Sequence, residues 1–296
     1  MKNSPFLARW KKGIVLFDGA MGTELIKRGL KPGECPETWN LSHPEAIKEI
    51  HRSYFRAGSE VVTTNSFGGH PVKLKAYGLE TKAEELNYAA ASVAAQAKEE
   101  GQFVAGSLGP AGQFLKPYGP LEEAELEAGF YLQASALAAG GADLLLIETM
   151  YDLREALCAL RAAKRAASSL PVLVTMTFQR TPRGFYTLMG QKVADCLRSL
   201  EAEGADGAGA NCTLTSQDMA ELAPLLRAET SLPLIFQPNA GQPKTDAEGQ
   251  LIYSQTIDDF ILGFKKILEV RVQAVGGCCG TNPEYIRRLS NLIRKE

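Results

Sequence analysis

The stretch DLLLIETMYDLREALCALRAAKRAASSLPVLVTMTF, Asp143–Phe178, decides the fold. Two short apolar runs, Asp143–Met150 and Pro171–Phe178, begin 28 residues apart and enclose a helical pattern. Strand, helix and strand at that spacing form the crossover unit of a parallel sheet. Reading outward finds six more such runs. Upstream lie Gly13–Gly19 (GIVLFDG), Glu60–Phe67 (EVVTTNSF) and Phe103–Pro110 (FVAGSLGP); downstream lie Ala205–Cys212 (ADGAGANC), Pro233–Gly241 (PLIFQPNAG) and Val272–Gly280 (VQAVGGCCG). Eight strand-plus-helix units predict a (β/α)8 TIM barrel, a single domain over residues 1–296. The sixth run is the weakest, because its Gly-Ala composition has poor β propensity. A doubly wound open sheet is the competing architecture. Its nucleotide-binding versions carry G-x-G-x-x-G or G-x-x-x-x-G-K-[ST], and neither occurs here.

Local punctuation fits the same pattern. Ser42-His43-Pro44-Glu45 and Thr281-Asn282-Pro283-Glu284 each match a capping box with Pro in the first turn. Gly101, Gly141 and Gly204 stand where left-handed C-caps would stop helices. The 296 residues carry 32 Lys plus Arg against 34 Asp plus Glu, so no basic nucleic-acid footprint is expected. Ala128–Ile147 is the most membrane-like stretch, yet Gln133, Gly140-Gly141 and Asp143 interrupt it, and it reads as helix, break and strand. The opening MKNSPFLARWKKG lacks the apolar core of a secretory signal, so no membrane partner and a cytoplasmic location are expected.

Barrel chemistry gathers where strands end. The first run ends in Asp18-Gly19, the second in Asn65-Ser66-Phe67-Gly68-Gly69-His70 and the fourth in Glu148-Thr149. The sixth, seventh and eighth end in Asn211-Cys212, Asn239-Ala240-Gly241 and Gly277-Cys278-Cys279-Gly280. Adjacent strand residues face opposite ways, so Cys278 and Cys279 reach one atom only if the backbone leaves the strand conformation, which Gly276, Gly277 and Gly280 permit. Cys212 could then complete a three-sulfur set that suits zinc with one open position. A vicinal disulfide or a pair of inert buried thiols are the alternatives, since no local C-x-x-C pair exists. Cys35, Cys158 and Cys196 read as core or loop filling. Asn65 and Asn211 are equally explained by turn closure and by a substrate role, and His70 reads as a loop residue.

DGAMGTEL at Asp18–Leu25, TNSFGGH at Thr64–His70, IET at Ile147–Thr149, NC at Asn211-Cys212 and GGCCGTNPEYI at Gly276–Ile286 together resemble the homocysteine S-methyltransferase family. Within it, the chain is most similar to the homocysteine-binding module of cobalamin-dependent methionine synthases. The resemblance implies a zinc-containing (β/α)8 barrel in which Cys212, Cys278 and Cys279 are the metal thiolates. It implies that Asp18 and Glu148 hold the substrate ammonium, and that Asn239 takes the fourth metal position when substrate is absent. For the substrate carboxylate, backbone N–H groups around Gly19 to Thr23 and the Ser66 hydroxyl are both open.

The implied reaction is zinc-dependent methyl transfer to L-homocysteine, giving L-methionine, from methylcobalamin on a separate corrinoid protein. The chain shows no corrinoid D-x-H-x-x-G motif, since Leu41, Glu49 and Gly68 precede its three histidines by two residues. It has no room for a folate barrel and lacks the C-terminal arm of betaine-type relatives. The loop Gly112–Gly119 (GQFLKPYG) resembles the methionine-synthase branch and is expected at the mouth, where a corrinoid protein would dock. Two alternatives stay open. One is an S-methylmethionine or betaine donor held by an aromatic cage, with Trp39, Phe67 and Tyr118 as candidates. The other is a noncatalytic, zinc-stabilised docking module.

Overall fold

A computed structural model describes residues 4–245 and 251–294. Its eight parallel strands are β1 (Val15–Leu16), β2 (Val61–Thr63), β3 (Phe103–Leu108), β4 (Leu144–Met150), β5 (Val172–Met176), β6 (Gly207–Asn211), β7 (Leu234–Gln237) and β8 (Ala274–Val275). Neighbours in the sheet follow the order β1-β8-β7-β6-β5-β4-β3-β2. A parallel bridge from Phe17 to Val61 joins the two ends, and the Glu60 N–H donates to the Leu16 carbonyl at 2.7 Å. The sheet therefore curls round on itself as a TIM barrel rather than opening as a doubly wound sheet. Each of these eight barrel strands lies inside one of the eight expected runs.

Eight helices cover the outside: α1 (Pro44–Ala57), α2 (Ala83–Ala97), α3 (Glu123–Ala139), α4 (Leu153–Ala166), α5 (Val193–Ala202), α6 (Ser216–Glu229), α7 (Ile257–Leu268) and α8 (Pro283–Ile293). The membrane-like stretch is indeed α3, the Gly140-Gly141 break and β4. No helix among the described residues is long and apolar enough to cross a membrane. Gly101, Gly141 and Gly204 all adopt the positive φ expected of them.

The capping expectations need correction. Ser42 is the last residue of a short helix, Trp39–Ser42, and donates to the Thr38 carbonyl. Already helical, it cannot open α1, whose N-cap is His43 with no side-chain hydrogen bond. At α8 the cap is Asn282, which accepts from the N–H groups of Glu284 and Tyr285. Thr281 instead donates to the Cys278 carbonyl at 2.7 Å.

Side-chain alternation builds the barrel interior in layers. Val15, Phe17, Val61, Phe103, Ala105, Leu144, Leu146, Leu173, Ile235 and Ala274 form one buried cluster. The N-terminal helix Pro5–Trp10 joins this cluster through Phe6 and Trp10, and the Trp10 indole donates to the Gln273 carbonyl at 2.6 Å. Moving two residues toward the strand C-termini from Val61, Ala105, Leu146, Leu173 and Ile235 reaches a polar layer, Thr63, Ser107, Glu148, Thr175 and Gln237, which Asn211 at the end of β6 joins. Polar side chains begin where the strands meet the mouth, and so does the chemistry.

Candidate active site

Three sulfurs meet at the mouth. The Cys212 and Cys279 Sγ atoms are 3.9 Å apart, those of Cys278 and Cys279 are 4.0 Å apart, and all three lie within 4.8 Å of one another. Thiolates at about 2.3 Å from one tetrahedral zinc would stand about 3.8 Å apart, so the donor set fits that metal. β8 ends at Val275, and the backbone leaves the strand before the cysteine pair. Gly276 and Gly277 are required there for space: a Cβ would lie 2.8 Å from the Phe17 Cβ at one and 2.4 Å from the Thr281 Oγ1 at the other. Gly280 takes φ +82°, and a Cβ there would lie 2.3 Å from the Tyr253 ring. The Cys278 N–H donates to the Pro238 carbonyl at 2.8 Å, and the Cys212 N–H to the Gln237 carbonyl at 3.0 Å, so β7 holds both arms of the set.

Strain concentrates at the same place. Among described residues, Thr149, Cys212 and Thr213 are the non-glycine residues with positive φ, at 61°, 60° and 59°. Two are β-branched, for which that region is costly. The β4–β5 register also shifts between Ile147 and Met150, a bulge that redirects Glu148-Thr149. Hydrogen bonds lock the shape. The Asn211 Oδ1 accepts from the Thr149 N–H at 2.7 Å and the Thr175 hydroxyl at 2.8 Å; its Nδ2 donates to the Thr149 hydroxyl at 2.7 Å and to Glu148 at 3.3 Å. Asn211 thus positions Glu148, beyond closing its own turn.

Glu148 also accepts from the Ser107 hydroxyl, and burial pushes its carboxyl up to about 7, with the nearby Cys212 adding to the rise. Asp18 accepts from the Thr63 N–H at 2.8 Å and hydroxyl at 3.0 Å. Burial nevertheless holds it well above the usual carboxylate range, and the charge of Glu148 adds to this. Both acids are thus buried with a raised proton affinity, for which burial is the main cause. Among the thiols, hydrogen bonds from Cys278 and Cys279 bring Cys212 down to about 3. Donating those bonds, together with burial, raises Cys278 and pushes Cys279 up to about 12.

A cavity of about 480 Å³ opens onto this set, lined by Gly19 to Thr23, Thr63, Asn65, Phe67, Ser107, Glu148, Gln237, Tyr253 and the three cysteines. Asp18 does not itself line the cavity, although its neighbours Gly19 and Thr63 do. Ser66 is not brought in: its hydroxyl donates to the Ser107 carbonyl at 2.8 Å and pairs with Thr64. Asn239 sits near Cys212, whose thiol pKa it helps to lower, and its buried Oδ1 has no partner. Asn65 lines the cavity but spends its amide on the Pro36 carbonyl at 2.8 Å and on Asn40. His70 caps a short helix and contacts the Leu126 carbonyl.

The three candidate cage aromatics do not converge. Trp39 stacks on His43 in a separate cleft, Tyr118 is 74% exposed, and Phe67 alone lines the cavity. Cys35, Cys158 and Cys196 are buried, as expected of filling residues. Tyr253 was not legible as a site residue. It belongs to a hairpin of Pro243–Thr245 and Leu251–Tyr253 that grows from the β7 loop, and it lines the cavity beside the three cysteines. The only sequence signal for it is Gly280, whose missing side chain makes room for the ring.

Fold and site together define a barrel whose mouth carries three cysteines that could hold a metal ion, and the chain belongs to the homocysteine S-methyltransferase family, whose model matches residues 15–293. It is 32% identical over 300 residues to methionine synthase of Mycobacterium tuberculosis and 31% identical over 302 to that of Mycobacterium leprae. Each match covers 95% of this chain and 24% of the relative, so the chain spans about a quarter of their length. Among solved structures it is similar to the homocysteine methyltransferase MmuM of Escherichia coli, at 25% identity. The TM-score is 0.80 for the metallated form, covering 97% of this chain and 99% of that one. For the oxidized form it is 0.83, covering 98% and 100%.

Proposed function

We propose that the protein transfers a methyl group to the thiol of L-homocysteine, giving L-methionine, in a zinc-dependent reaction with a methylcobalamin-carrying corrinoid protein as donor. The carrying observation is the convergence of Cys212, Cys278 and Cys279 on one point at the floor of a cavity walled by Glu148. These cysteines would hold zinc as thiolates. Asn239, with its unpartnered oxygen beside Cys212, is the neutral group that would take the fourth position before substrate arrives. Zinc supplies Lewis acidity: a free thiol with pKa about 8.5 is only a few per cent ionised at neutral pH, and the thiolate is the nucleophile.

The residues of the chain do the rest. Asp18 and Glu148 receive the substrate ammonium, which offsets their buried charge and selects an amino acid over a simple thiol. Thr63 and Asn211 fix those carboxylates, and the segment Gly19–Thr23 faces the same cavity with backbone N–H groups for the substrate carboxylate. The homocysteine sulfur lone pair then forms a bond to the methyl carbon while the bond from that carbon to the donor breaks, its electron pair staying with the donor.

Likeness to methionine synthases over 95% of the chain supports a corrinoid donor, as does the scattering of the cage aromatics. Phe114 and Tyr118 of the loop after β3 are exposed for such a partner. Chelator-stripped protein should keep its fold, lose methyl transfer from methylcobalamin to homocysteine, and regain it with zinc; betaine and S-methylmethionine should not serve. Transfer that persists without metal contradicts the zinc role, and a preferred onium donor contradicts the corrinoid. Unfolding on chelation would favour the noncatalytic docking module.

A further inference from the structure

The polar layer at the top of the barrel is satisfied almost throughout. Thr63 bonds to Asp18, Ser107 to Glu148, and Thr175 and Asn211 to each other. Gln237, the inward residue of β7, is the exception. It is 3% exposed, it lines the cavity, and its buried Oε1 has no hydrogen-bond partner. Leaving an amide oxygen dry and unpaired is unfavourable, and a methionine or leucine would fill the same space without that cost.

Its neighbours indicate what it awaits. A Cβ built on Gly276 would lie 3.0 Å from the Asp18 backbone carbonyl oxygen and 3.3 Å from the Gln237 Cγ, so the base of the Gln237 side chain packs near the Asp18 backbone. The Gln237 backbone carbonyl receives the Cys212 N–H. The Gln237 side chain thus shares one cavity with Glu148 and the three cysteines. An ammonium group carries three N–H donors, and Asp18 and Glu148 each already accept hydrogen bonds from the protein.

Resting on the homocysteine reading, we propose that Gln237 is a substrate-binding residue whose Oε1 accepts the third N–H of the substrate ammonium. It selects for a free primary ammonium at that position. An N,N-dimethylated substrate, left with one N–H, would be rejected because the amide oxygen stays unpaired and the methyl groups meet it.

The test uses zinc-loaded full-length protein and calorimetric binding of two ligands, L-homocysteine and its des-amino analogue 4-mercaptobutyrate. Gln237→Met should weaken homocysteine about tenfold or more, since the lost bond is to a charged group. It should leave the analogue within about twofold and leave thermal stability equal or higher. Gln237→Glu, which keeps the acceptor, should restore most of the homocysteine affinity. Equal loss for both ligands, or no loss for homocysteine, overturns the assignment while the functional reading stands. Wild-type protein that fails to bind homocysteine overturns both.

Discussion

At the residue scale, buried acids recur on one side of this molecule, and not all of them serve the cavity. Glu155, near the start of α4, accepts the Ala111 N–H at 2.7 Å. Burial pushes its carboxyl up to about 7, the Ala111 bond opposing, with the charge of Asp152 adding to the rise and Lys73 reducing it. A carboxyl raised above its unfolded value binds more protons in the folded state. Its contribution is therefore complete below about pH 4.5 and disappears as pH climbs through about 7. Glutamine keeps the acceptor without the charge. Glu155→Gln should be more stable than wild type by about 2 kcal/mol at pH 8 and equal to it near pH 5. Denaturant titrations at both values check this, and a difference independent of pH would contradict it. Glu148 shows the same rise, again with burial as its main cause.

At the element scale, the sixth strand shows why composition understated the fold. GAGAN has poor β propensity, yet Gly207–Asn211 pairs with both neighbours. Its glycines are there for close approach. A Cβ at Gly209 would fall 1.9 Å from the Ile235 carbonyl oxygen on β7, and one at Gly207 would fall 2.5 Å from the Trp10 indole. Backbone cannot yield as a side chain does, so Gly209→Ala should cost about 2 to 4 kcal/mol in urea unfolding. A cost below about 0.5 kcal/mol would show that β6 and β7 are not packed this closely. Alternation and strand spacing were legible because they follow from how a pleated strand faces a core. The hairpins Gln179–Thr181 with Gly184–Tyr186 and Pro243–Thr245 with Leu251–Tyr253 were not. Each is a three-residue pair with no period long enough to read. Ser42 failed as a cap for a related reason: a preceding helix one turn long, invisible as a pattern, had already claimed it.

At the scale of the whole molecule, the barrel brings residues 18, 148, 212 and 278 to one rim although they are scattered along 296 positions. Closure of the sheet was legible as eight repeated units. Strand-end positions allowed the three cysteines to converge, and the family's motifs singled that reading out from the alternatives, because 66 residues separate Cys212 from Cys278 and no spacing rule joins them. The apolar-to-polar change of layer near the C-terminal ends of the strands divides the barrel between a packed core below and the cavity above. Ser66 and Asn239 illustrate the limit of motif reading. Both stand at strand ends, yet one turns its hydroxyl into the wall and the other lies against the sulfur. Side-chain direction in a loop is set by neighbours that the chain meets only on folding.

X-ray absorption at the zinc edge, on zinc-loaded protein before and after addition of L-homocysteine, tests the coordination most directly. Three sulfurs and one lighter ligand should become four sulfurs, and Cys278→Ala should lower each count by one. A sulfur count unchanged by homocysteine would contradict the account.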